Sequence, residues 1–272
     1  MRRLTWFNTA SIVLGFAFLY IPILLLVIYS FNEGKNVAIW QGFSTKWYGE
    51  VFKNEQLLSA AWVTLRVAFL SATVATVLGV LAAITLVRFG RYRGSTLFNG
   101  MVYAPLVMPE IILGLSLLLL FVAIDFERGF WTIVLAHITF TMCFATVVIQ
   151  SRLVTFDHSL EEAALDLGSP PLKTFLVITL PIILPAVISA WMLAFTLSLD
   201  DLVISSFTTG PGATTLPMKI YSDVRLGVKP EINAISTLMI AVISIAVISA
   251  SIVTKLGEQK REREAQAARK QG

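Results

Sequence analysis

Carboxylates set inside apolar stretches are the residues of this sequence best placed to do chemistry. Glu110 stands in LVMPEIILG, and Asp200 and Asp201 stand in FTLSLDDLVISSF. An ionised side chain in hydrocarbon is costly, so such a residue marks a candidate ion or substrate pathway. Glu110 falls near the middle of its apolar run, directly after Pro109. Pro105 and Pro109 free backbone carbonyls and predict a kinked helix that faces a cavity rather than lipid. Adjacent residues on a helix point about 100° apart, so one of Asp200 and Asp201 can line a path while the other pairs with a neighbouring helix. Two spaced carboxylates suit a cation with spaced amines. The alternative is a structural ion pair with Arg66, at similar depth in another apolar run, and the residues alone leave both readings open.

The remaining polar residues of the apolar runs read as structural. His137 is expected to be a packing histidine that holds hydrogen bonds. Thr139, Thr141, Thr196 and Ser198 can return their hydroxyls to the preceding turn. Gly79, Gly114 and the small residues of 71–75 predict close helix packing. The single cysteine, Cys143, reads as a small buried hydrophobe and excludes a disulfide within the chain. A phosphate-binding GxxxxGK[ST] loop, an HExxH pair and a nucleophile elbow are all missing. Catalysis and direct ATP binding by a phosphate loop are therefore not expected, nor is a metal site.

The elements that carry these residues are membrane helices. Of 272 residues, 56% are hydrophobic and 14% charged, with a mean hydropathy of +0.78. Soluble domains carry about 25% charged residues. Six apolar runs, at about 7–29, 60–87, 98–123, 131–151, 182–207 and 232–254, are each long enough to cross about 30 Å of hydrocarbon at about 1.5 Å per residue. Backbone groups cannot go unpaired in lipid, so the runs are expected to be helices. The first is too long for a secretory h-region and reads as an uncleaved helix. The net charge of +4 is spread over loop ends and the tail, which excludes a nucleic-acid footprint. Arg2, Arg3, Arg88, Arg91, Arg93, Arg152, Lys173 and the tail would share one side, and positive-inside bias makes that side cytoplasmic. The fold class is thus an all-α membrane protein with six transmembrane helices, both termini inside. Residues 1–256 form a single domain and 257–272 a mixed-charge cytoplasmic tail. In the long first outer loop, Trp40, Trp47 and Tyr48 read as interfacial anchors or as a contact surface for an external partner. The second opens with the turn signal Gly210-Pro211-Gly212.

One polar stretch breaks the apolar pattern. EEAALDLGSPPLKTFLVITLP, within 157–181, lies between the fourth and fifth runs on the cytoplasmic side. Glu161, Glu162 and Asp166 favour the start of a short helix. Asp157 or Ser159 can cap it. Gly168 tolerates the left-handed conformation that ends it, and Pro170 and Pro171 turn the chain away.

The spacing of Glu162-Ala163-Ala164, Gly168, Ile178, Leu180 and Pro181 completes EAA-x3-G-x9-I-x-LP. This resembles the signature of ABC importer permeases, the binding-protein-dependent inner-membrane components, and the likeness covers almost the whole chain. APLVMPEIILGLSLLLLF and the segment from AFTLSLDD to EINAISTL are similar to the polyamine branch. The opening FLYIPILLLVIYSFN points to the second permease subunit of a putrescine-type importer. The resemblance implies a coupling helix between the fourth and fifth spans, with Glu161, Glu162, Ala163, Ala164, Asp166, Gly168, Ile178, Leu180 and Pro181 serving ATPase coupling. It implies alternating access for putrescine or a related polyamine, with Glu110, Asp200 and Asp201 on the path and spermidine as the first alternative. It also implies a second homologous permease, a dimer of ABC ATPases that holds ATP and Mg, and a periplasmic polyamine-binding protein as partners. No cofactor is expected on this chain. An ion-coupled secondary transporter is the alternative from another class, and the complete signature weighs against it.

Overall fold

The computed structural model describes residues 5–271 apart from 38, 91 and 228, and for 250 and 253–271 the backbone alone. Arg2, Arg3 and Arg91, expected on the cytoplasmic side, lie outside the described residues, as do the side chains of the tail. The described residues are helical, with one isolated antiparallel bridge between Asn32 and Phe43.

In chain order the helices are α1 (Trp6–Tyr29), α2 (Lys46–Lys53), α3 (Glu55–Arg88), α4 (Ser95–Val107), α5 (Glu110–Ala123) and α6 (Phe130–Val154). They continue with α7 (Ser159–Asp166), α8 (Pro171–Thr174), a π-helical turn (Phe175–Thr179), α9 (Leu180–Leu199), α10 (Val203–Thr208), α11 (Leu216–Leu226) and α12 (Pro230–Gln271). Among the described residues, five stretches are long and apolar enough to cross a membrane: α1, α3, α6, Pro171–Leu199 and Pro230–Ser249. Counting α4 and α5 together as one bent span makes six.

Two expected spans are therefore not single helices. The run at 98–123 bends by 118° between α4 and α5. The predicted kink is a full break. Met108 precedes proline and is driven out of the helical region, to φ −78° and ψ 135°. The run at 182–207 stops at Leu199 and restarts at Val203. At its other end that helix is continuous with the π turn. Pro181 has no N–H to offer the previous turn. Just before it, Leu180 N–H bonds Phe175 O, the wider spacing of a π turn.

The chain divides into two compact units, Met1–Ser59 with Lys219–Ser249, and Ala60–Met218 with Ala250–Gly272. In the first, the loop after α1 folds around Asn32. Its side-chain amide donates to Asn36 O and Ile39 O and accepts from Gln41 N, while its own carbonyl receives Trp47 Nε1 at 2.8 Å. Tyr48 bonds Ser30 through its hydroxyl at 2.7 Å and packs on Phe31. Trp47 and Tyr48 are thus internal supports of this loop. That corrects their reading as lipid anchors or a contact surface, for which Trp40 alone of the three is exposed.

In the second unit, Ala83, Ala145, Ile149, Leu153, Ile183 and Ala190 form a core shared by α3, α6 and α9. Small residues set how closely these helices approach. A Cβ at Gly79 would lie 3.0 Å from Ala145 Cβ and 3.1 Å from Thr146 N. Ser71 donates to Val134 O of α6 at 3.2 Å. A Cβ at Gly114 would meet the Phe207 ring at 2.8 Å, so α5 lies against α10. Gly79, Gly114 and the buried Ser71, Ala72 and Ala75 sit as expected, whereas Thr73 and Val74 of the same stretch are exposed.

Candidate functional site

The break after α9 is built around Asp201. Its carboxylate accepts the backbone N–H groups of Ile204 at 3.2 Å and Ser205 at 2.7 Å, the first turn of α10. The same carboxylate faces His137 Nε2 of α6 at 3.1 Å. His137 also bonds Ser198 through Nδ1 at 2.6 Å and Ser205 through Nε2 at 3.0 Å. His137 is 1% exposed and Asp201 8%. Four polar groups from α6, α9, the break and α10 therefore satisfy one another out of solvent. Of the two readings open for Asp201, the geometry favours the structural pair, with His137 in place of Arg66. Arg66 lies instead with its guanidinium 4.8 Å over the Phe130 ring.

Asp200 and Glu110 are placed differently. Asp200 ends α9 through its N–H to Thr196 O, and its side chain is exposed. Glu110 begins α5, where a negative charge meets the positive end of the helix. It too is exposed. Of the three candidate carboxylates these two are exposed, and both sit where an expected span is broken.

The 157–181 segment forms the expected short helix with Glu161 and Glu162 in its first turn, but Asp166, expected near its start, is its last residue, and the N-cap position falls to His158. Asp157 Oδ1 accepts Ser159 N at 3.0 Å. Hydrogen bonds from the Ser159 side chain and backbone hold the Asp157 carboxyl below its usual range. Helix α7 then runs to Asp166 and closes with two crossed bonds, Ser169 N to Ala164 O at 3.0 Å and Gly168 N to Leu165 O at 2.9 Å. With Gly168 at φ +82° this is a Schellman end. Pro171 opens α8, where a missing N–H costs nothing.

The signature residues divide by environment. Glu162, Ala163, Asp166 and Gly168 are exposed, and Ala164 is half-buried. Leu167 beside them is 89% exposed and Leu172 71%. These apolar neighbours escaped the sequence reading, since a leucine near a helix end looks like any core residue. Ile178 and Leu180 instead pack against the core of α3, α6 and α9. Pro181 follows the π turn. Glu161 turns inward, and Arg88 Nη2 reaches its Oε1 at 2.5 Å.

Several membrane-length helices, two expected spans that are broken, and a short exposed helix between α6 and α9 define a multi-pass membrane protein. The chain belongs to the binding-protein-dependent transport system inner membrane components, whose family model matches residues 75–263. It is thereby a multi-pass protein of the bacterial inner membrane. The putrescine transport system permease protein PotI of Escherichia coli (strain K12) is 55% identical over 265 residues, 95% of this chain and 94% of that protein. The spermidine/putrescine transport system permease protein PotC of the same strain is 43% identical over 240 residues, 88% of this chain and 90% of that one. Among solved structures, a bacterial ABC transporter involved in the import of the acidic polysaccharide alginate has a chain similar in fold. Its TM-score is 0.70 at 17% identity, over 90% of this chain and 92% of that one. The inward-facing MetNI methionine ABC transporter gives a TM-score of 0.62 at 17% identity, over 74% of this chain and 95% of that one.

Proposed function

We propose that this chain is one permease subunit of an ATP-driven importer that carries putrescine across the cytoplasmic membrane by alternating access. The observation that carries the reading is the 55% identity with PotI, sustained over 95% of this chain. In this proposal α4 and α5 together make one of six spans, both termini are cytoplasmic, and 157–181 faces the cytoplasm. A second, homologous permease completes the pathway, and a periplasmic polyamine-binding protein delivers the substrate. A dimer of ABC ATPases holds ATP and Mg and meets α7 through Glu162, Ala163, Asp166 and the exposed leucines. No cofactor is assigned to this chain.

The pathway role falls to Glu110 and Asp200, the exposed carboxylates at the two broken spans. Each offsets one protonated amine of a short diamine where water is scarce. Asp201 holds the second break in shape rather than meeting substrate. A second reading, spermidine as cargo, draws on the 43% identity with PotC.

Proteoliposomes that contain both permeases and the ATPase, supplied with the binding protein, test this. Putrescine uptake is expected to need ATP and to be competed more strongly by unlabelled putrescine than by spermidine. Stronger competition by spermidine moves the assignment to the second reading. Uptake that continues without the ATPase removes the ABC mechanism altogether.

A further inference from the structure

Glu161 stands next to the exposed Glu162 but lives in another environment. Its side chain is 12% exposed, and its Oε1 accepts hydrogen bonds from Arg88 Nη2 and from the Thr179 hydroxyl. Arg88 is the last residue of α3, and Thr179 is the last of the π turn and fully buried. One carboxylate oxygen therefore joins α7 to two other segments. His158 lies 3.9 Å from its second oxygen.

This junction matters because α7 has little else. It contributes no buried residue to any core. Its chain connection leads on through α8 and the π turn to α9, and among the described residues Glu161 is the α7 residue whose side chain is bonded to α3. Both charges sit at the favourable end of their own helices, Arg88 at the C-terminal end of α3 and Glu161 in the first turn of α7. A pair this sheltered is screened less by salt than a surface pair, and removing one partner strands the other. Among the described residues, Arg88 Nε is buried without an acceptor, so the guanidinium's hold on α7 rests on its bond to Glu161.

We propose that the Arg88–Glu161 pair is a mechanical tie. It carries movement of α7 to α3, so that one short helix drives α3 as well as α9. Both residues are positioning residues; neither is a contact with the ATPase. The proposal rests on the importer reading and assigns these two side chains a role that reading does not contain.

The test uses the full complex in proteoliposomes and measures ATP hydrolysis, putrescine uptake and co-purified ATPase together. Arg88→Gln and Glu161→Gln are each expected to keep the ATPase bound but to lower uptake per ATP hydrolysed by about fivefold or more. The double swap Arg88→Glu with Glu161→Arg should recover part of that loss. Recovery stays partial because each charge then opposes its helix end and the Thr179 bond is gone. An unchanged ratio in the single variants overturns the tie, and so does loss of the ATPase from Glu161→Gln, which makes Glu161 a docking contact. Should Arg88→Gln fail to fold, Glu161→Gln decides by the same ratio. A lowered ratio with the ATPase retained supports the tie and a wild-type ratio overturns it. Failure of the importer reading is separate, since the unmutated complex would then take up no putrescine.

Discussion

His137 Nε2 lies 3.1 Å from Asp201 Oδ2, across 64 positions of chain. The pair fixes where α9 ends and α10 begins. It draws one of two adjacent carboxylates inward and leaves the other, Asp200, facing out. A sequence that shows two equivalent aspartates thus encodes two different environments.

Asp201→Ala is expected to destabilise the protein by about 2–4 kcal/mol, because His137 and two backbone N–H groups lose their acceptor. Asp201→Asn keeps an acceptor oxygen and should cost about 1 kcal/mol. Its uptake is expected to fall while the complex still assembles. Thermal unfolding of the detergent-purified protein compares the two. Equal melting temperatures for Asp201→Ala and the unmutated protein would deny the network its structural role.

Asp200→Asn and Glu110→Gln should leave folding unchanged and weaken handling of the diamine. Losing one charge-assisted contact worth about 1.4 kcal/mol raises the apparent KM for uptake about tenfold. The check is uptake against putrescine concentration, with expression held equal. Normal kinetics in both variants would take the pathway away from these residues.

Gly168→Ala forces a side chain into φ +82°. The strain is about 1–2 kcal/mol, and its effect falls on the end of α7. Faster proteolysis between 159 and 170 is expected, with less ATPase recovered in pull-downs. Wild-type recovery together with wild-type protease resistance would mean that the end of α7 tolerates a side chain.

Gly79→Ala tests helix approach in the core. The added methyl meets the backbone nitrogen of Thr146, which cannot swing aside, so a loss of about 1–3 kcal/mol is expected. Gly15→Ala is the control, since a Cβ there meets nothing within 4 Å. Equal thermal shifts in the two variants would show that α3 and α6 do not need the close contact.

Trp47→Phe removes the bond to Asn32 O and replaces the buried indole with a smaller ring. About 1 kcal/mol of loop stability should go with it, seen as earlier protease cutting in 30–54 and no change in the melting of the helical core.

The residues that obey local rules were legible in advance. Gly168 had to end a helix, Pro109 had to disturb one, and Gly79 and Gly114 had to sit at close contacts, because each statement concerns the backbone within a turn or two. The exposed part of the signature, from Glu162 to Gly168, was legible for the same reason. What escaped depends on partners far along the chain. No spacing rule links His137 to Asp201, Arg88 to Glu161, or Trp47 to the carbonyl of Asn32. The break after Leu199 was hidden because an apolar run reads the same whether or not one aspartate within it caps a new helix.

The bend between α4 and α5 has a consequence for how the protein is made. At about 1.5 Å per residue each half is about 20 Å long, short of the roughly 30 Å that a lone helix must cover. Neither half is therefore a self-sufficient insertion signal. The groove that receives α5 includes Phe207 and Ile204, which the ribosome has not yet produced when Gly114 emerges. At bacterial elongation rates near the upper end of 5–20 residues per second, that wait is on the order of 5 s. During this interval the half-built span is without the side chains that Gly114 packs against in the finished fold.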